Sequence, residues 1–182
     1  LRDGLALFEN ASDSESIALT SIDSEEVYFV PAFTGLGAPY WDMEARGAIF
    51  GLTRDSGKGQ ITKAALESIA FQTKDLISAM ELDTNKNFSM LAVDGGASAN
   101  NFLMQFQADI LGASIQRAAI IESTALGVAY LAGLHVGLWS FSELEKSKKN
   151  SQVFEPAMGE EKRERLYKGW LKAVSRTMNW IE

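Results

Sequence analysis

Residues 88–118 read FSMLAVDGGASANNFLMQFQADILGASIQRA, and this stretch restricts the fold more than any other. A run that reads as a buried strand, FSMLAVD, ends at Asp94. Two glycines, two small residues and two asparagines follow, and then Phe102, Leu103, Phe106 and Ile110 recur on one side of a helix. ASIQRA at 113–118 is a strand again. Gly95 and Gly96 can take backbone angles that other residues resist, which suits an abrupt turn between strand and helix.

The rest of the chain keeps the same alternation. Residues 11–26 are small, polar and acidic and predict a connector holding a short turn. VYFVPAF at 27–33 predicts a strand whose ladder stops at Pro31. A glycine-punctuated loop, TGLGAPYWDMEARG, leads to a second strand at 48–53. The spacing predicts a helix over 60–80 with Ile61, Ala65, Ile69, Leu76 and Met80 as its stripe, widened by Leu66, Ala70 and Ile77. Lys63 and Glu67 are expected to pair across its wet face. STALGVAYLAGL at 123–134 is apolar nearly all round, which predicts a central helix. Ser142 can cap the next helix, with Glu145 three residues on. A last helix over 159–181 carries Leu166, Trp170, Val174 and Met178 as its stripe, with Glu160 and Glu161 at its start and Lys172 and Arg176 towards its end. Strands alternating with helices define an α/β layered domain, and 182 residues suffice for one such unit.

Charge and composition narrow the function. The 24 acidic residues outnumber the 17 basic ones, and the densest basic run, EKSKKN at 145–150, reads as a solvated turn. That pattern predicts no nucleic-acid partner. The absence of cysteine excludes disulfides and thiolate chemistry, and His135 as the one histidine leaves no zinc cluster. No apolar run reaches the ~20 residues that span a bilayer, so no membrane insertion is expected, and a cytoplasmic setting fits. Leu1 opens in what reads as the middle of a helix, LRDGLALF, which predicts a piece of a longer protein.

Asp94 stands at the C-terminal end of its strand, the edge at which α/β sheets take ligands. Gly95 and Gly96 would let a flat ligand lie on bare main chain. Asn100, in the first turn of the helix, offers an amide that both donates and accepts, as an adenine edge or a ribose hydroxyl requires. The same residues equally make an ordinary turn with helix capping, and both readings stand on this stretch alone. Neither GxGxxG nor GxxxxGK[ST] occurs. Elsewhere, Glu122, Ser123 and Thr124 can cap the apolar helix. Asp42, Glu44 and Arg46 can hold charges in the loop, where Tyr40 and Trp41 line a cleft or pack down. Gln72 and Thr73 are placed to hydrogen-bond inward.

FVPAFTGLGAPYWDMEARGAIFGLTR (29–54), AALESIAFQTKDLISAM (64–80), VDGGASANNFLMQFQADILG (93–112) and ESTALGVAYLAGLHVGLW (122–139) together resemble the C-terminal domain of the FGGY family of carbohydrate kinases. The resemblance runs in order from Leu1 to about Trp180. It implies an actin-like ATPase, ribonuclease H-like domain with a mixed sheet flanked by helices, incomplete at its N-terminal end. Residues 1–26 would be a helix end and connector continuing from an upstream region, and 27–182 the nucleotide-binding domain.

The implied reaction is transfer of a phosphoryl group from ATP, with Mg²⁺, to glycerol. The nucleotide would sit mainly on this domain and glycerol mainly on an N-terminal one. Gly96 and Asn100 occupy the family's nucleotide-contacting positions, with Gly95 and Ala97 shaping the turn. The family's catalytic aspartate lies in a GDQ segment that these residues do not contain, so no catalytic residue is assigned and the chain alone is expected to be inactive. The family implies a homodimer or homotetramer for the full-length enzyme. Two alternatives remain: a kinase of the same family acting on another polyol or sugar, and a non-catalytic actin-like nucleotide-binding or assembly module.

Overall fold

The computed structural model describes residues 1–21, 26–120, 122–146 and 152–181. In chain order the elements are α1 (Arg2–Leu5), α2 (Asp13–Leu19), β1 (Tyr28–Val30), β2 (Ala48–Phe50), α3 (Lys58–Thr84), β3 (Met90–Val93), a 3-10 turn (Gly96–Ala99), α4 (Asn101–Leu111), β4 (Ser114–Arg117), α5 (Ser123–His135), α6 (Phe141–Lys146), β5 (Gln152–Phe154) and α7 (Glu160–Ser175). The strands form two sheets. β1 and β2 make an antiparallel pair. β3 and β4 run parallel, with Leu91 opposite Ile115, and β5 adds antiparallel to β4, with Phe154 opposite Ile115. The larger sheet is therefore mixed, and β3 is at its edge.

α3 is the spine of the molecule, lying against α2, α4 and β1. Phe71 of α3 stacks on Trp170 of α7, their ring centroids 5.2 Å apart, and meets Phe106 of α4 edge-on at 5.4 Å. Leu103, Ile110, Ile115, Val30 and Val174 close the core around these rings. The α4 stripe and Leu166, Trp170 and Val174 of the α7 stripe thus fall where their periodicity puts them, but α7 ends at Ser175, short of the expected 181, and Met178 packs on the core from the chain beyond it. Glu160 and Glu161 open α7 and Lys172 lies in its last turn, the charge order that suits the helix dipole.

Six local expectations are corrected. Along α3 the expected stripe is half out in water, with Ile69, Leu76 and Met80 exposed, while Thr62, Glu67, Ser68 and Asp75 are buried beside Ala70, Phe71 and Ile77. The helix turns this face inward because Tyr167, Trp170 and Lys63 satisfy its carboxylates. The Lys63–Glu67 pair accordingly forms, at 3.4 Å, but with both side chains nearly buried. α5 is not central: among its described residues only Gly133 is buried, and Val128 and Leu131 stand out in solvent. β3 is partly exposed rather than buried. The start of α6 is held by Ser140 instead of Ser142: Glu143 accepts from the Ser140 N–H at 2.7 Å and from its hydroxyl at 2.8 Å. The segment read as a connector contains α2, which packs on α3 and α4. Of the basic run EKSKKN, residues 147–150 lie outside the described residues.

Candidate functional site

The strand-to-helix turn after β3 is built on Gly95, whose φ of 82° is open to glycine at little cost. The Ser98 hydroxyl donates back to the Gly95 carbonyl at 2.7 Å, and Ser98 is buried, so the turn is closed from within. From β4, the Arg117 guanidinium donates to the carbonyls of Ser98 (2.8 Å) and Ala99 (3.2 Å) and to Asn101 Oδ1 (3.1 Å). It also binds Gln152 Oε1 of β5 and lies over the Phe154 ring, 5.2 Å from its centroid. Arg117 therefore works as a brace for the turn.

Asn100 ends the 3-10 turn and caps α4, its Oδ1 accepting from the Leu103 N–H at 2.9 Å. Its Nδ2 donates to Ser14 Oγ of α2 at 3.3 Å. The next residue is gripped from the same helix. Glu15 accepts from the Asn101 N–H at 3.0 Å and from Asn101 Nδ2 at 3.2 Å. Two consecutive residues of α2 thus hold the start of α4, 86 positions away in sequence.

Between α2, α3 and this turn lies a cavity of about 470 Å³, the size of a small-molecule site. Ser14 and Glu15 line it from α2, Leu66 and Ile69 from α3, and Gly96, Ala97, Asn100 and Leu103 from the turn and α4. The lining is an apolar floor with amide and hydroxyl groups and the Glu15 carboxylate at its edge, which suits a flat heterocycle carrying polar ring atoms. A Cβ built on Gly96 would meet no atom within 4 Å, so that face of the main chain is open to a ligand.

Of the site residues expected from the sequence, Gly96, Ala97 and Asn100 converge on this cavity, and Gly95 sets the turn that brings them there. Sequence reasoning missed Ser14, Glu15 and Arg117. The signal for α2 was present as Ser12 followed by Asp13 and Glu15, an acidic first turn after a capping residue. Nothing local marks Arg117.

The other candidates are structural. Asp42 is buried and accepts from the N–H groups of Asn179 (2.8 Å), Glu44 (2.8 Å) and Ala45 (3.0 Å). Those bonds, Asn179 first, hold its carboxyl below the usual range. The loop at 34–47 is thereby tied to the chain after α7. Tyr40 packs on the core, and Trp41 is exposed. Gln72 and Thr73 bond back to the carbonyls of Ser68 and Ile69 on their own helix. Glu122 stands at the N-cap of α5 without a side-chain capping bond.

The mixed sheet, its glycine turn and the covering helices follow the actin-like ATPase fold. The chain belongs to the FGGY family of carbohydrate kinases, whose C-terminal domain matches residues 3–136. It is 60% identical to the glycerol kinase of Caldanaerobacter subterraneus subsp. tengcongensis over 183 aligned residues, covering 100% of this chain and 37% of that enzyme. Among solved structures it resembles Plasmodium falciparum glycerol kinase with ADP, at a TM-score of 0.83 and 36% identity, over 94% of this chain and 35% of that one. It also resembles ligand-bound xylulose kinase from Lactobacillus acidophilus, at 0.73 and 28%, over 96% and 36%. The chain therefore spans about a third of the length of the relatives it matches.

Proposed function

We propose that this chain is the adenosine-binding part of an ATP-dependent kinase that converts glycerol to sn-glycerol 3-phosphate. The observation that carries the reading is the open face of Gly96 beside a cavity edged by the Asn100 amide. A purine nucleoside fits the volume, the apolar floor of Leu66 and Ile69, and the polar edge. Glycerol as the acceptor rests on the 60% identity to a glycerol kinase and on the higher structural similarity to a glycerol kinase than to a xylulose kinase.

Phosphoryl transfer is mostly a matter of position and charge stabilisation. In this reading the chain's own residues do the positioning. Gly95 shapes the turn, Gly96 and Ala97 let the nucleotide approach the backbone, and Asn100 meets the base. Arg117 and Glu15 keep that surface rigid. Mg²⁺ would neutralise charge on the phosphates. In this reading the ion would be held chiefly through the phosphates of ATP. No residue here is assigned as the base that takes the glycerol proton.

Calorimetric titration of the 182-residue chain with ADP tests the site, and binding is expected. A coupled ADP-release assay tests the division of labour. The chain with ATP and glycerol should show no turnover, while the longer protein that carries this sequence should convert glycerol faster than xylulose or gluconate. Failure to bind ADP would refute the site, and preference for another acceptor would refute glycerol.

A further inference from the structure

The Asn100 amide is held from both ends. The Leu103 N–H can only donate, and it donates to Oδ1. The Ser14 hydroxyl spends its proton on the Ala11 carbonyl at 2.6 Å, so towards Asn100 its oxygen can only accept, and it takes one Nδ2 proton. Turning the amide over would set N–H against N–H and oxygen against oxygen. The orientation is therefore dictated by the partners. One Nδ2 proton and one Oδ1 lone pair remain for whatever fills the cavity that Asn100 lines.

That remainder, one donor beside one acceptor, matches the N7 and N6 edge of adenine. Guanine presents two acceptors, N7 and O6, at the same edge. An unrestrained amide could meet guanine by offering both protons of its NH₂ group, but Ser14 has taken one. We propose that Ser14 is a positioning residue that makes this site prefer adenine over guanine nucleotides, by withholding the second Asn100 proton. Glu15 supports the arrangement by tying α2 to the first residue of α4, which keeps Ser14 beside Asn100. The inference rests on the nucleotide reading of the cavity given above.

The test is calorimetric titration of the full 182-residue chain with ADP, GDP and 7-deaza-ADP, alongside Ser14→Ala and Ser14→Thr, with melting curves for each. A bidentate contact of this kind discriminates by about fivefold or more. The unsubstituted chain should bind ADP at least about fivefold tighter than GDP, and 7-deaza-ADP, which lacks the N7 acceptor, should lose about as much. Ser14→Ala should narrow the ADP-to-GDP ratio by about threefold or more, chiefly through tighter GDP binding, and Ser14→Thr should restore it. A merely structural Ser14 would lower both affinities together and leave the ratio unchanged, which would overturn the inference. Equal affinity of the unsubstituted chain for ADP and 7-deaza-ADP would overturn it without any variant. No binding of ADP at all would remove the nucleotide reading itself and this inference with it, a result distinct from an unchanged ratio.

Discussion

The indole N–H of Trp170 donates to the Asp75 carboxylate at 2.8 Å where neither side chain reaches water. The Tyr167 hydroxyl donates to the other oxygen at 2.6 Å. Burial pushes the Asp75 carboxyl up, and these donors pull it back. The link joins α3 to α7 across 95 positions of sequence. Asp75→Ala strands a buried indole N–H and should cost about 2–4 kcal/mol. Urea unfolding would show a lower midpoint with an unchanged slope. Asp75→Asn keeps an acceptor for one donor and should lose less. A midpoint for the Ala variant equal to that of the unsubstituted chain would refute the role.

Glu67 gives the molecule a pH dependence near neutrality. Burial pushes its carboxyl up from 4.5 to about 7, against the pull of Lys63 and Lys162. The folded state therefore holds this proton more tightly than the unfolded one. Its contribution to stability is complete below pH 4.5 and is lost as pH rises through about 7. The loss over that interval is on the order of 3 kcal/mol. Glu67→Gln should flatten the unfolding midpoint between those pH values and raise it at the upper end. An unchanged pH slope in the variant would show that Glu67 does not titrate there.

Gly169 lets α7 pass against Tyr28. A Cβ at this position would collide with the Tyr28 ring and hydroxyl. That hydroxyl lies 3.1 Å from the Leu166 carbonyl and 3.0 Å from Glu26 Oε2, so the ring cannot withdraw without losing both contacts. Gly169→Ala should destabilise by about 1–3 kcal/mol despite the higher helix propensity of alanine. Differential scanning calorimetry would register the drop, and a raised Tm would contradict it.

Gly95 and Gly96 should part company on mutation. Gly95→Ala forces a side chain to φ 82° and ψ 168°, a conformation essentially confined to glycine, and should cost about 1–3 kcal/mol of stability. Gly96→Ala meets no protein atom within 4 Å, so the melting curve should barely move. If a nucleotide lies on that face, ADP affinity should fall about tenfold or more, because the methyl occupies its space. Undiminished affinity in a normally melting Gly96→Ala chain would place the ligand elsewhere.

The elements easiest to read were those whose own residues repeat with the structure. The stripes of α4 and α7 face the core because Leu103, Phe106, Ile110, Leu166, Trp170 and Val174 carry enough apolar surface to decide the matter locally. On α3 the period was legible and the face was not. Glu67 and Asp75 look like surface residues until Lys63, Tyr167 and Trp170 are placed against them, and two of those three come from the other end of the chain. α5 misled in the opposite direction, since an apolar helix marks a surface to be covered without saying that the described residues cover it. At the candidate site the glycine turn and Asn100 announced themselves by residue type. Ser14, Glu15 and Arg117 act on that turn only through tertiary contacts, and a single sequence records no such pairing.

Arg117 has one further consequence. Its guanidinium binds the backbone of the 3-10 turn on one side and Gln152 of β5 on the other, so strand pairing and turn geometry share a fastener. Loosening β5 from its neighbour would slacken the 3-10 turn on which the proposed nucleotide site is built, with no residue that lines the cavity altered directly. Denaturant well below the unfolding midpoint should therefore erode ADP affinity as soon as the outer strand begins to fray, making ligand titration an early gauge of wear in the sheet.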